Sequence, residues 1–166
     1  MAVLIAFPVF AILVILQGGM ISAMPLLRGT ADVVLLTIVA WALQERARAI
    51  WPWSLIGGSM VGLVSGLPMG ALLGAYLLVT LIALILRRRV WKAPALAMLA
   101  VTLLGTLVTH GVSWLARWLS GTLIPIAQVF NLITLPSLLL NLLLAMPVYV
   151  MVRDLANWLY PEEIEV

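Results

Sequence analysis

Apolar residues run through this chain in long blocks, and the polar interruptions between them are short. A block of about 20 predominantly apolar residues crosses the hydrocarbon of a bilayer as an α-helix. On that measure the pattern predicts six spans, over about 2–24, 31–44, 51–66, 70–86, 93–119 and 135–152. Phe7-Pro8 is placed to kink the first span, and Gly18-Gly19 to loosen its far end. The second span is short for a bilayer and must tilt little or borrow length from its flanks. Arg28 and Asp32 mark the short loop at its start, and it ends at Glu45, Arg46 and Arg48. The stretch 121–134 is apolar but broken by Gly121, Pro125, Gln128 and Asn131, and reads as an interfacial or re-entrant segment. A polar tail, 153–166, follows the last span. The expected fold is an all-α integral membrane protein with one transmembrane domain.

Glycines punctuate the middle of the pattern at four-residue intervals: Gly58, Gly62, Gly66, Gly70 and Gly74. Four residues is slightly more than one helical turn, so these positions drift slowly along one face. In water so much glycine weakens a helix. In lipid, helices associate where small residues let backbones approach, and GxxxG is the simplest such pattern. Pro68 divides the series, ending one helix near Gly66 and letting another start near Gly70. The expectation is two helices with glycine faces, joined by a tight SGLPMG turn.

Composition and charge give this pattern a direction. Hydrophobic residues fill 65% of 166 positions and charged residues 9%, more apolar surface than a soluble core uses. With no cysteine, disulfides and thiolate chemistry are excluded. The net charge of +3 is a topology signal here, not a nucleic-acid one. Six spans place Arg46, Arg48, Arg87, Arg88, Arg89, Lys92 and Arg153 on one side, and Arg28 and Arg117 on the other. The positive-inside rule then puts both termini in the cytoplasm and the SGLPMG turn outside. Arg87, Arg88, Arg89 and Lys92 form a basic cytoplasmic cluster able to meet anionic lipid. Before Arg28 there is no basic residue, so the first segment is expected to remain as a helix. The tryptophans, Trp41, Trp51, Trp53, Trp91, Trp114, Trp118 and Trp158, fall near predicted span ends, where indoles sit at headgroup level.

Polar side chains within spans are the candidates for function. Thr102, Thr106, Thr109, His110, Ser113 and Arg117 share one face of the fifth span. The Thr and Ser hydroxyls can bond carbonyls one turn back, and His110 can cap a neighbour or act chemically. Ser137 and Asn141 lie one turn apart on the last span, and Asn141 reads as an interhelical hydrogen-bond residue. Ser65 with His110 is the one conceivable nucleophile–base pair, and no further motif supports it. The carboxylates sit at span ends or in the tail, which argues against a paired-aspartate protease. No cluster has metal-ligand spacing, and a single histidine makes no proton relay. No enzyme and no cofactor are expected.

Three motifs in order resemble the rod shape-determining protein MreD family. They are TADVVLLTIVAWAL, the glycine-rich pair GGSMVGLVSGLPMGALLGAYLL, and LPSLLLNLLLAMPVYVMVRDL with Pro136, Asn141 and Pro147. The likeness runs from about Asp32 to Tyr160. Many relatives carry an Asp shortly before the SG of the turn. Here Gly62, Leu63 and Val64 stand instead, so no role of that carboxylate carries over. The resemblance implies a non-enzymatic scaffold of the bacterial cell-elongation and peptidoglycan-synthesis machinery in the cytoplasmic membrane. Implied partners are a single-span MreC-like protein and, through it, the MreB filament, a RodA-type glycosyltransferase and its class B penicillin-binding protein. The family's fold is similar to the S-components of energy-coupling-factor vitamin transporters, and that supplies the alternative function. Such a component docks through small-residue pairs of the kind Ala2-x3-Ala6 makes, and holds its substrate in an outward cavity. Thr106, His110 and Ser113, with Gln128 and Asn131 nearby in sequence, are the groups offered for that cavity.

Overall fold

The computed structural model describes residues 2–23, 29–89, 93–122 and 124–161. Arg28, Trp91, Lys92 and the acidic tail residues Glu162, Glu163 and Glu165 lie outside the described residues, as does the side chain of Arg89. Among the described residues the fold is wholly helical. The helices are α1 (Ala2–Ala23), α2 (Val33–Leu43), α3 (Ile50–Val64), α4 (Met69–Arg89), α5 (Pro94–Leu119) and α6 (Ile126–Leu159). Four of them, α1, α4, α5 and α6, are long and apolar enough to cross a membrane, and α2 and α3 are shorter apolar helices.

The bundle is built around α2. Its sequence, VVLLTIVAWAL, is apolar on every side, as suits a packed core or lipid and not water. The other five helices all pack against it, and every residue from Val34 to Leu43 is buried. Asp32 starts the helix as its N-cap, accepting the Leu35 amide at 2.9 Å. At the other end Arg87 of α4 donates to the carbonyls of Ala42 (3.4 Å) and Glu45 (2.8 Å), which have no partner further along the helix.

The glycine series divides into three roles. Gly58 and Gly62 of α3 face α4: a Cβ there would lie 3.1 Å from Leu73 and 3.2 Å from Met69. Gly66 is the turn itself, with φ +66°, a conformation glycine adopts without penalty. Gly70 and Gly74 meet nothing within 4 Å and face outward from α4. The single face expected from the spacing is therefore an intramolecular α3–α4 contact, a turn, and an open surface. A glycine outside the series makes another close approach. Gly57 lets α1 and α2 close on α3, where a Cβ would stand 2.9 Å from Ile38 and 3.0 Å from Phe10.

Two further expectations are corrected. Trp41 and Trp53 do not face headgroups but stack in the core, with ring centroids 3.9 Å apart and planes 5° from parallel. Their N–H groups are satisfied inside, by the Arg48 and Ala2 carbonyls, which is why indoles are tolerated there. Phe10 meets Trp53 edge-on at 5.5 Å and Ala6 is fully buried, so the Ala2-x3-Ala6 side of α1 faces the interior. The segment from Ile126 is also helical and continues unbroken into the last helix, as far as Leu159. A π turn, Phe130–Thr134, makes this continuity possible. Pro136 has no N–H and its ring crowds the carbonyl four residues back, so the preceding turn widens and the Leu135 amide bonds Phe130 O.

Candidate functional site: a polar network beneath an open cavity

At its N-terminus α2 is tied to α4, α5 and α6 by a chain of polar side chains. Asp32 accepts the Tyr76 hydroxyl of α4 on Oδ2 at 2.6 Å. The Asp32 amide donates to Asn141 Oδ1 of α6 at 2.7 Å, and Asn141 Nδ2 donates to Thr106 Oγ1 of α5 at 2.9 Å. Thr106 passes its own proton to the Thr102 carbonyl at 2.8 Å. Asn141, Thr102 and Thr106 are fully buried, so the polar groups have few alternatives to one another. One turn from Asn141, Ser137 Oγ accepts the Thr30 amide at 3.0 Å. Gly29 brings this strand of chain against α6 so closely that a Cβ would lie 2.7 Å from the Ser137 nitrogen.

Directly above the network is a cavity of about 460 Å³. Its polar lining consists of Thr30, Ser65, His110, Ser113, Arg117, Thr122 and Ser137. Arg117, Ser113 and His110 descend α5 in steps of four and three residues, so one helix face runs from the rim to the floor. At the floor His110 Nδ1 is 3.1 Å from Thr134 Oγ1, on the π turn of α6. The wide turn thus supplies the partner that orients the imidazole.

No family model, no curated protein and no solved structure matches this chain. The functional reading therefore rests on the residues and their geometry.

The structure brings most of the sequence candidates together and reassigns several. Thr106, Ser137 and Asn141 belong to the network, while His110 and Ser113 line the cavity. Thr106, Thr109 and Ser113 do bond carbonyls one turn back, as their types suggest. Thr102 Oγ1 is buried without a partner among the described residues. Gln128 and Asn131 are exposed and do not line the cavity. Ser65 reaches the same cavity as His110, but its hydroxyl donates to Gly62 O and accepts the Leu67 amide, as turn serines do. In the sequence Asp32 stands out only as part of a short loop. The signal for its role was present, an Asp immediately before an apolar run, which is an N-cap signature. Tyr76 and Gly29 were missed because nothing local marks their partners.

The basic cluster also resolves differently. Arg87 turns to α2, while Arg88 is exposed. Arg46, Arg87 and Arg153, from a loop and two helices, border a second cavity of about 240 Å³ at the far end of the bundle. The cationic surface there is drawn from three places in the chain, not from one run.

Proposed function

We propose that this chain is a six-span protein of the bacterial cytoplasmic membrane, with both termini in the cytoplasm. In this reading it is an MreD-type, non-enzymatic scaffold of the cell-elongation machinery. The observation that carries the reading is the outward face of Gly70 and Gly74 on α4, a long apolar helix whose other glycine neighbours are already used inside the bundle. Small residues on a lipid-facing surface let a second helix approach closely, and a single-span MreC-like protein presents such a helix. The motifs around Asp32, Gly66 and Asn141 that carry the resemblance are also the α2 cap, the α3–α4 turn and the α6 tie. The arginine-bordered end supports contact with anionic lipid or an acidic partner such as the MreB-linked assembly.

A second reading is favoured by the 460 Å³ cavity, namely a substrate-binding S-component of an energy-coupling-factor transporter. A mild-detergent pull-down of the tagged protein with mass spectrometry separates the two. Recovery of an MreC-like protein with RodA-type and penicillin-binding polymerases, reduced by Gly74→Leu, supports the scaffold. Recovery of an ATPase module instead overturns it.

A further inference from the structure

We infer that the cavity above the Asp32–Asn141 network binds an amphipathic anion, with its phosphate or carboxylate head between Arg117 and His110 and its apolar body along α4 and α6. The Arg117 guanidinium, at the rim, has no ion pair or hydrogen bond among the described residues, and only the Arg117 carbonyl is engaged, by the Thr122 amide at 3.0 Å. A guanidinium offers five donors and is matched best by a phosphate or carboxylate. The groups below it are also placed to donate. Ser137 Oγ accepts the Thr30 amide, which leaves its own O–H free to point into the cavity. His110 Nδ1 is engaged by Thr134, and with Thr134 donating, Nε2 carries the ring proton.

The carboxylate nearest the cavity is Asp32, and its oxygens are taken by Tyr76 and Leu35. Among the described residues no carboxylate lines the cavity, so none of them repels an anion there. The rest of the lining is apolar, from Leu67, Leu72, Trp114, Ile124, Val129 and Ile133. One positive group and several donors, with apolar side chains making up the rest of the lining, describe a site for an amphipath, not for a bare ion. The volume falls in the range of small-molecule sites, about 300–1,000 Å³. The head can belong to a phospholipid or to a free amphipathic anion, since both offer the same chemistry to Arg117. The inference does not depend on the scaffold reading, and it shares its cavity with the transporter-component reading.

The test is thermal unfolding of the whole protein in a neutral maltoside detergent, followed by tryptophan fluorescence, with four probes: octyl phosphate, octanoate, 1-octanol and dihexanoyl-phosphatidylglycerol. Octyl phosphate or octanoate should raise the midpoint saturably, and 1-octanol should not. Arg117→Gln should weaken the apparent affinity about tenfold, as loss of one charge-assisted pair does. Arg88→Gln, an exposed arginine at the other end of the bundle, should leave it unchanged. Because Arg117 is itself exposed, its variant should keep the basal midpoint, and Arg117→Lys should restore part of the response. A response to phosphatidylglycerol as strong as that to octyl phosphate assigns the head to lipid, and a response to the single-chain anions alone assigns it to a free amphipath. An equal effect of 1-octanol, an undiminished response in Arg117→Gln, or no response to any probe overturns the inference. Loss of protein partners in a pull-down leaves it standing.

Discussion

Replacing Asn141 with Leu tests whether the polar network holds the bundle together. The side chain is fully buried and makes two bonds, accepting the Asp32 amide at 2.7 Å and donating to Thr106 at 2.9 Å. Leucine fills a similar space and makes neither. The Asp32 amide precedes the first turn of α2 and has no carbonyl to turn to, so it is orphaned, at about 1–3 kcal/mol. Thr106 loses an acceptor role but keeps its bond to the Thr102 carbonyl, and an interhelical bond of that kind averages about 0.6 kcal/mol in a membrane bundle. Together these give a loss of about 2–3 kcal/mol, softened slightly by the better lipid-phase packing of leucine. Unfolding in mixed dodecyl sulfate and maltoside micelles, read by tryptophan fluorescence, measures it. Thr106→Ala should cost much less, about 0.6 kcal/mol. If Asn141→Leu were within about 0.5 kcal/mol of the parent, the Asp32 amide would have another partner and the three-helix tie would not be the stabilising element.

Tyr76→Phe keeps the ring and removes the hydroxyl that Asp32 Oδ2 accepts, so it should cost about 1.5–3 kcal/mol in the same assay and couple with Asn141→Leu in a double-mutant cycle. Gly29→Ala places a methyl 2.6 Å from Pro136 and 2.7 Å from the Ser137 nitrogen, neither of which can yield, and should lower stability by about 1–3 kcal/mol; an unchanged midpoint would mean the loop packs elsewhere. Gly62→Leu should destabilise the isolated protein by forcing α3 from Met69. Gly74→Leu should leave the unfolding midpoint unchanged and reduce partner recovery in the pull-down.

The six apolar segments were legible because each is bounded by charge, proline or glycine, and α3, the SGLPMG turn and α4 lie where Pro68 and Gly66 put them. What could not be read was the order of enclosure. The second block looked like one short span among six, yet it is the axis of the bundle; its all-round apolar sequence did not mark it, since α1 is as uniformly apolar and lies largely exposed. Spacing showed that Gly58 to Gly74 share a drifting face. It did not show that the turn at Gly66 sends the two halves to different neighbours. Asn141 was recognisable as an interhelical residue from its type alone. Its partner, 109 positions earlier in the chain, is a property of the fold. Trp41 and Trp53 near block ends fitted a headgroup position as well as a core one, because an indole satisfied by a carbonyl suits either. The final helix was divided in the reading at the polar and proline residues that the π turn absorbs.

The shortness of α2 has a bearing on how the protein is made. Eleven residues rise about 16 Å, half of the roughly 30 Å of hydrocarbon in a bilayer. Released alone into lipid, such a segment would leave its ends and Asp32 in hydrocarbon. In a membrane it must leave the insertion machinery beside α1 and wait for later helices. Synthesis then delivers its supports in sequence: Tyr76 and Arg87 from α4, Thr106 from α5, and last Asn141 from α6. A nascent chain that stalls before α6 would hold a central helix with an unanswered amide at its start, which is the kind of defect that membrane quality control can sense.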